Sequence, residues 1–251
     1  CRQIVRKKPK SLILFDISEF ALYSIERELL EINQDVTVIP ILGNVSEGSR
    51  LRQIIKKFAV YTIYHTAAYK HVPMVEKNTV SGINTNIFGT LSCIEAAIDG
   101  NVKSFVFIST DKAVRPTNTM GATKRFAELL LQAIAKRQSK SSLDNKTQIS
   151  IVRFGNVLGS SGSVVPLFRE QIRNGGPVTV TDPNIIRYFM TISEAAQLVI
   201  QAGTMKSEGD IFILNMGEPI EVVSLAKDMI RLSGMTIKDE ENPDGDIPIV
   251  F

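Results

Sequence analysis

The chain of 251 residues has no tryptophan, only two cysteines and only two histidines. Cys1 and Cys93 are far apart in the sequence, so we predict no disulfide framework. This scarcity of cysteine indicates a protein of a reducing compartment, and we interpret both residues as structural thiols. His65 and His71 have no carboxylate or cysteine at ligand spacing, so we predict no metal site and assign both histidines to a loop or a supporting position.

The sequence also lacks an apolar run of the roughly 18 to 20 residues that would span a bilayer. The net charge is only +3, and the basic residues are interspersed with acids, which does not favour a nucleic-acid partner. Because 44% of the residues are apolar, the chain can bury a sizeable core. We therefore expect a globular protein whose residues contact neither nucleic acid nor a membrane.

Apolar runs alternate with amphipathic helical patterns through the first part of the chain. Strands are predicted at residues 11–15, 36–39, 60–64, 104–109 and 149–154, and helices at 19–30, 46–58, 82–98 and 120–137. Strands joined by helical crossovers form a parallel sheet with helices on both faces. The predicted fold class is therefore α/β, a Rossmann-type doubly wound parallel sheet. The polar stretch 138–146 is predicted to be a surface loop.

The pattern changes after residue 156 to short strands, loops rich in Gly and Pro, and helices near residues 165–174, 193–203 and 221–233. We predict that residues 1–156 form a dinucleotide-binding domain. Residues 157–251 are expected to form mainly a smaller substrate-binding lobe, interleaved with the sheet. Both ends are expected to be truncated, because none of the sixteen glycines forms the G-x-G-x-x-G turn that follows the first, central strand of such a fold.

Several residues that follow predicted strands suit contacts with a dinucleotide. Asp16 closes the strand 11–15, where an acid accepts hydrogen bonds from ribose hydroxyls and favours NAD over NADP; Asp-x-Ser is equally an ordinary helix cap. Asn44, followed by Val45, can accept a hydrogen bond near the adenine. Ala67 and Ala68 would allow close approach of the cofactor, or they simply form a tight turn between strand and helix.

The most specific segment contains Ser109-Thr110-Asp111-Lys112, followed by Met120-Gly121-Ala122-Thr123-Lys124. It resembles the extended short-chain dehydrogenase/reductases, and among them the CapD-like bacterial polysaccharide-biosynthesis dehydratases. Phe154-Gly-Asn156-Val-Leu-Gly-Ser160 and Ile186-Arg187-Tyr-Phe-Met-Thr-Ile192 share this resemblance, so it spans nearly the whole chain.

The resemblance implies an NAD-dependent lyase that converts UDP-N-acetylglucosamine, or a close UDP-hexosamine, to a UDP-4-keto-6-deoxy sugar. NAD would be tightly bound and regenerated in each turnover. Asp111 would protonate the departing C6 hydroxyl, Lys112 would take the C5 proton, and Thr110 would hydrogen-bond the C4 oxygen. Because consecutive residues of a strand point in opposite directions, these roles require a turn at residues 110–112. An exposed Asp-Lys loop without a role is the alternative.

Met120 and Lys124 lie four residues apart, so their side chains share one helix face. In most relatives a tyrosine that takes the sugar's hydroxyl proton occupies the Met120 position. Methionine cannot titrate. That proton transfer must therefore pass to Asp111 or to a water relayed by Thr110, while Lys124 holds the nicotinamide ribose.

The same resemblance implies further binding residues. Asn86, Ser109 and Lys70 are expected to contact or order the cofactor site. Lys70, Asn156, Thr181 and Arg187 are expected to bind substrate, and the forked guanidinium of Arg187 suits a diphosphate.

A nucleotide-sugar 4-epimerase and a non-catalytic nucleotide-binding module remain alternative functions. The Asp111-Lys112 pair argues against the epimerase, because epimerisation removes no water. We expect a cytoplasmic homo-oligomer, either free or tethered to the inner membrane by a segment absent from this chain.

Overall fold

The computed structural model describes residues 1–140 and 146–251, so part of the predicted polar loop lies outside the described residues. The chain divides into two compact units. The first comprises Cys1–Arg153 and Ala196–Leu214, and the second comprises Phe154–Ala195 and Asn215–Phe251. The first ends three residues before the predicted boundary at residue 156, and part of the predicted substrate lobe returns to it.

The helices and strands up to residue 153 alternate as expected. They are α1 (Arg2–Val5), β1 (Ser11–Asp16), α2 (Glu19–Ile32), β2 (Thr37–Leu42), α3 (Gly48–Phe58), β3 (Thr62–His65), α4 (Val72–Lys77), α5 (Thr79–Ile83), α6 (Gly89–Asp99), β4 (Ser104–Ile108), α7 (Thr119–Ser139) and β5 (Gln148–Arg153). A π-helical turn, Asn84–Phe88, joins α5 to α6, and a 3-10 turn, Asp111–Ala113, follows β4.

The remaining elements are shorter. They are β6 (Asn156–Val157), α8 (Val164–Arg173), β7 (Val178–Thr179), β8 (Ile186–Arg187), β9 (Phe189–Met190), α9 (Ile192–Thr204), β10 (Glu208–Ile213), β11 (Ile220–Glu221), α10 (Val222–Leu232), β12 (Ile237–Lys238) and β13 (Ile247–Val250).

The strands of the first unit are parallel, which confirms the predicted fold class. β1 pairs with β2, and a four-stranded sheet has the order β10-β5-β4-β3. β10 was not among the predicted strands; it is an edge strand that begins with the polar or small residues Glu208-Gly209-Asp210, so its apolar run is confined to its second half. Among the described residues, no strand joins the two sheets.

Helices cover both faces of the four-stranded sheet, because neighbouring residues of a strand point to opposite faces. Phe105 and Phe107 of β4 are fully buried in a cluster with residues of α3, α6 and α7. Val106, between them, lies on the other face against α9, where a Cβ on Gly203 would come within 2.7 Å of it. This two-sided burial is the doubly wound arrangement that the sequence predicts.

Two local predictions hold only in part. The helix predicted near residues 82–98 is present as α5, the π-helical turn and α6, which together begin earlier, at Thr79. His65 was assigned to a loop or a supporting position; it does not lie in a loop, because it is the last residue of β3 and only 3% exposed. An imidazole ring offers enough apolar surface to pack in a core when its nitrogens are satisfied.

The second unit has its own core. The side chains of α8 and α10 pack against β7 and β13 through a cluster of buried apolar residues: Phe168, Ile172, Val178, Val180, Val222, Ala226, Ile230 and Ile247. Such a separate core is what defines a compact unit. No described helix of either unit is both long and apolar enough to cross a bilayer.

Candidate active site

The turn after β4 carries the predicted acid and base. Thr110 begins the 3-10 turn, and its hydroxyl donates to Oδ1 of Asp111 at 2.9 Å. The Lys112 ammonium donates to the same oxygen at 3.1 Å. The side chains of Lys112 and Asp111 are 34% and 42% exposed. The turn that the sequence analysis required is therefore present, and it holds a carboxylate and an amine together where a ligand can reach them.

The first turns of α7 hold Met120 and Lys124 on one buried face, at 3% and 7% exposure. The Lys124 ammonium donates to the Ile108 carbonyl at 2.6 Å and lies 4.3 Å from the centre of the Phe107 ring. Burial lowers the pKa of Lys124 to about 8, against an opposing influence of Glu128. Lys124 is thus a buried cation fixed at the end of β4, beside the Asp111–Lys112 turn.

Gly121 sets the distance between α7 and the turn. A Cβ at this position would lie 2.2 Å from the backbone oxygen of Lys112 and 3.2 Å from Pro116. Asn118 caps the helix by accepting from the Gly121 amide at 2.8 Å. The glycine of the Met-Gly-Ala-Thr-Lys motif therefore allows backbone contact that any side chain would prevent.

Asn86 braces the loop after β3 against α7. Its side chain is fully buried; it accepts from the Tyr69 amide at 2.8 Å and donates to the Tyr69 carbonyl at 3.0 Å. It also donates to Thr123 at 2.9 Å. The ordering role expected for Asn86 has this structural basis, whereas its contact with a cofactor stays a prediction. Lys70 follows Tyr69 in this loop. The residue is exposed, but partial burial of its ammonium lowers the pKa of Lys70.

His65 is a second buried base next to this region. Its Nε2 lies 2.9 Å from Oγ1 of Thr90, whose hydroxyl donates to the Asn86 carbonyl. Since that hydroxyl hydrogen is engaged, Thr90 accepts from His65, which fixes the tautomer protonated at Nε2. Burial, reinforced by the charge of Lys124, lowers the pKa of His65 to about 3. The ring therefore stays neutral at physiological pH.

A buried ionic network, which sequence reasoning missed, lies behind the turn. The carboxylate of Glu128 is fully buried and accepts from Ser109 at 2.6 Å and from Nε of Arg153 at 2.7 Å. Arg125 donates to it at 3.0 Å. One signal could have revealed it: Glu128 continues the buried i, i+4, i+8 series of Met120 and Lys124 on α7, where an unpaired charge would be costly.

The residues predicted to contact the cofactor follow the carboxyl ends of the strands. Asp16 ends β1, is exposed and accepts from the Ser18 amide at 2.8 Å; Ser18 itself caps α2. Asn44 accepts from the Ser46 amide at 3.0 Å. The side chain of Val45 is in the core, where a Cβ on Gly89 would come within 2.6 Å of it.

Contact of these residues with a dinucleotide stays a prediction. Asp16 and Asn44 lie at the carboxyl ends of the paired parallel strands β1 and β2, and Ala67 and Ala68 follow β3 of the four-stranded sheet. Exposed acceptors and small side chains suit ribose hydroxyls and closely approaching rings. The hydroxyl of Ser109, by contrast, donates to Glu128, and the residue is only 3% exposed. Its predicted cofactor contact is not favoured by this arrangement.

The predicted substrate-binding residues beyond 153 lie in the second unit. The Asn156 amide donates to the Tyr188 carbonyl at 3.0 Å, and Asn156 is paired with Phe189. Arg187 on β8 is exposed and donates to the carbonyl of Ile186. Asn156 and Arg187 are thus close within this unit. Thr181 is exposed in the bend after β7.

Neither cysteine resembles a nucleophile. Cys93 is buried, and burial raises its pKa to about 12, so it is a core thiol at neutral pH. Cys1 is exposed and, like Cys93, free. In residues 1–140 and 146–251, His, Cys, Asp and Glu form no group of three that could hold a metal ion.

The doubly wound parallel sheet, the Thr-Asp-Lys turn after β4 and the buried lysine of the next helix define the class of the protein. It is an extended short-chain dehydrogenase/reductase. Comparison with known proteins narrows this assignment. The family model described as "Polysaccharide biosynthesis protein" matches residues 1–250.

Two curated relatives are similar to nearly the whole chain. The capsular polysaccharide biosynthesis protein CapD of Staphylococcus aureus is 47% identical over 95% of this chain, which corresponds to 39% of the relative. The probable polysaccharide biosynthesis protein EpsC of Bacillus subtilis is 46% identical over 100% of this chain and 40% of its own length. The chain therefore belongs to the CapD-like polysaccharide biosynthesis family, although it spans only about two fifths of these relatives.

Other relatives include a UDP-glucose 4-epimerase of Rickettsia rickettsii, 36% identical over 86% of this chain and 63% of the relative. Among solved structures, that of Pen from Bacillus thuringiensis superposes with a TM-score of 0.86 at 33% identity, over 99% of this chain and 72% of that one. DesIV, a dTDP-glucose 4,6-dehydratase of Streptomyces venezuelae with NAD bound, has a TM-score of 0.80 at 18% identity, over 98% of this chain and 77% of that one. The last comparison supports the fold alone.

Proposed function

We propose that the protein is an NAD-dependent 4,6-dehydratase that acts on UDP-N-acetylglucosamine or a close UDP-hexosamine. The single observation that carries this proposal is the Asp111–Lys112 pair, held 3.1 Å apart and partly open on the turn after β4. Removal of water across two neighbouring carbons needs a base for the C–H proton and an acid for the departing hydroxyl, and this pair supplies both. Membership in a polysaccharide-biosynthesis family supports a nucleotide-sugar substrate.

NAD, when bound, supplies the oxidising group that takes up a hydride and later returns it. NAD is favoured over NADP because Asp16, at the end of β1, would repel a 2′-phosphate. Asp16 and Asn44 would hold the adenosine half, and Lys124 would hold the nicotinamide ribose. Asn86 would order this part of the site by bracing the loop that contains Tyr69.

The proton transfers fall to the turn. Thr110 would hydrogen-bond the C4 oxygen and pass the C4 hydroxyl proton toward Asp111, since its own hydroxyl already donates to Asp111. Lys112 takes the proton from C5 as an amine, after its ammonium has released a proton to solvent. Asp111 then gives its proton to the departing C6 hydroxyl, which leaves as water, and Lys112 returns its proton to C5 of the product. Met120 takes no part in proton transfer, because a thioether does not titrate.

Substrate binding beyond the turn rests on the second unit and on Lys70. Arg187 is exposed, and its planar guanidinium can form two parallel hydrogen bonds with phosphate oxygens. Asn156 lies close to Arg187 in the second unit and would contact the sugar or the base. We also retain Thr181 and Lys70 as substrate contacts.

A 4-epimerase is the second candidate, because the UDP-glucose 4-epimerase of Rickettsia rickettsii is 36% identical over 86% of this chain. Oxidation at C4 would begin either reaction. The two differ at C6, where only the dehydratase loses water. The acid-base pair at Asp111 and Lys112 therefore favours the dehydratase.

The protein is further proposed to act in the cytoplasm, where UDP-sugars are found, and to assemble as a homo-oligomer. Large apolar side chains are exposed on two neighbouring helical segments that Asn86 and Thr123 hydrogen-bond together. They are Val80, Phe88, Phe126 and Leu129, at 70%, 53%, 56% and 49% exposure. Exposed apolar surface of this kind marks protein contacts.

The test is to incubate the complete gene product with NAD and UDP-N-acetylglucosamine and to follow the product by mass spectrometry. We expect a product lighter than the substrate by one water. A product of unchanged mass with inverted C4 would establish the epimerase instead. Bound UDP-sugar without any turnover would indicate a non-catalytic nucleotide-binding module.

Variants of the turn assign the roles. Asp111→Asn and Lys112→Ala should each lower kcat at least about 100-fold, since each removes one proton-transfer group, while UDP binding by calorimetry stays within about threefold. Asp239→Asn, on an exposed loop of the second unit, is the matched control and should leave both quantities unchanged. Full activity in either turn variant would refute the assigned roles.

A further inference from the structure

The residues immediately before the catalytic turn are tied to α7 at two successive positions. Lys124 donates to the carbonyl of Ile108 at 2.6 Å, and Ser109 donates to Glu128 at 2.6 Å. The next residue, Thr110, begins the turn that carries Asp111 and Lys112. A small rotation at Ser109 would therefore be passed directly to both proton-transfer groups.

Glu128 also joins the ends of two neighbouring strands. Ser109, just after β4, donates its backbone amide to the Val152 carbonyl at 2.7 Å, and the next residue of β5, Arg153, donates to Glu128. The carboxylate is fully buried and has three different donor residues, of which Arg125 is the most exposed. Burial alone would raise the pKa of Glu128, but hydrogen bonds from Arg153, Ser109 and Arg125 outweigh it and hold the pKa below its usual range.

A buried, ionised carboxylate is costly to keep, and an apolar residue of similar size would often serve stability as well. The presence of a carboxylate at position 128 is explained if its hydrogen bonds fix the position of the turn that follows Ser109. We propose that Glu128 is a positioning residue of the active site: through Ser109 it fixes the catalytic turn, and through its charge it supports the ammonium of Lys124 four residues earlier. This inference rests on the proposed dehydratase function.

The charge effect follows from the surroundings of Lys124. The side chains that face its ammonium are Glu128 on α7, neutral His65 on β3 and the Phe107 ring on β4. Glu128 alone among these is an anion, and it also offsets the positive charges of Arg153 and Arg125. Loss of its charge should lower the pKa of Lys124 from about 8, so Lys124 would lose its proton at a lower pH.

The experiment compares Glu128→Gln and Ser109→Ala in the complete gene product. Glu128→Gln keeps the shape but loses the charge; we expect kcat to fall about 10- to 100-fold, KM to change less than threefold, and the alkaline limb of the kcat profile to move to lower pH. Ser109→Ala removes only the tie to the turn, so kcat should fall without movement of the alkaline limb. Ser109→Thr, which keeps the hydroxyl, should restore most of kcat.

Arg125→Ala is the matched control, because it removes a donor to Glu128 at the exposed end and leaves Ser109 and Arg153 in place. Its kcat should stay within about threefold of wild type. Hydrogen exchange of the amides at residues 109–113 provides a second readout that needs no turnover. Exchange should be faster in Glu128→Gln and Ser109→Ala, and unchanged in Arg125→Ala.

The outcomes separate the two proposals. If the wild-type protein removes no water from the UDP-sugar, the proposed function is wrong, and hydrogen exchange still decides whether Glu128 holds the turn. If Ser109→Ala has the same kcat and the same amide exchange as wild type, the positioning role of Glu128 is wrong. This outcome is decisive even if Glu128→Gln fails to fold. An unmoved alkaline limb in folded Glu128→Gln would overturn the effect of the charge on Lys124.

Discussion

Burial lowers the pKa of Lys124, so this side chain titrates at a lower pH than an exposed lysine. Its pKa falls from 10.5 to about 8 because the ammonium is taken out of water, and the negative charge of Glu128 does not fully compensate. At neutral pH the group is still largely charged. The same side chain can therefore hold a ligand hydroxyl at pH 7 and lose its proton only slightly above.

This shift predicts the dependence of stability on pH. Below pH 8 both folded and unfolded chains carry the Lys124 proton, and the full cost of burying the charge is present. Between pH 8 and 10.5 the folded protein has released that proton while the unfolded chain retains it, so stability rises with pH. Relative to Lys124→Met, the free energy of unfolding of wild type should rise by about 2 kcal/mol from pH 7 to 9.5.

Urea unfolding of both proteins across this pH range measures the difference. Because other groups titrate in both proteins, their contributions cancel in the comparison. A constant difference between wild type and Lys124→Met would mean that Lys124 titrates as an ordinary exposed lysine.

At the scale of elements, the site depends on how closely α7 approaches the turn after β4. Three features hold the start of α7: the Asn118 cap on the Gly121 amide, and the bonds from the Thr119 amide and hydroxyl to Glu76 of α4 at 2.6 and 2.7 Å. The two hydrogen bonds from Thr119 lower the pKa of Glu76. Helix, turn and the preceding α4 are therefore one assembly.

Gly121→Ala tests this close approach. The added methyl group would meet the Lys112 carbonyl at 2.2 Å, and backbone cannot give way as a flexible side chain does. We expect a loss of about 1–3 kcal/mol in the free energy of unfolding and a fall of more than 10-fold in kcat. Thermal unfolding and steady-state kinetics measure the two effects.

Gly48→Ala is the matched control, since Gly48 also lies in the first turn of a helix. A Cβ there would meet the flexible end of the Arg52 side chain at 3.2 Å and would make ordinary contact with Ser92 at 3.6 Å. Stability should stay equal or rise slightly, because alanine favours a helix over glycine. Equal behaviour of the two variants would contradict the importance of the contact at Gly121.

For the molecule as a whole, the exposed apolar side chains of α5, the π-helical turn and α7 predict self-association. Phe126→Glu combined with Leu129→Glu should convert a homo-oligomer to monomers, because charges would replace apolar contacts in the interface. Light scattering coupled to size exclusion measures the mass. Phe20→Glu, at an apolar side chain of α2 that is 80% exposed, should leave the mass unchanged. An oligomer that persists in the double variant would place the interface elsewhere.

The sequence by itself determined the features that depend on local spacing. Alternating apolar runs and helical patterns specify parallel strands with crossovers, and four-residue spacing puts Met120 and Lys124 on one face. The roles implied for Thr110, Asp111 and Lys112 require three consecutive side chains to reach one ligand, and this requirement predicted the turn at these residues. The helix face and the turn depend on residues within a few positions of one another, and the order of strands depends on a local pattern repeated along the chain.

Only the tertiary structure decided which polar side chains share the interior. Glu128 finds Ser109 19 positions away and Arg153 25 positions away, and Asn86 meets Thr123 37 positions away. His65 became a neutral core residue of β3 because Thr90 of α6 satisfies its Nε2. A buried polar group is tolerable only when its partners arrive from other elements, and their arrival is a property of packing that local patterns do not record.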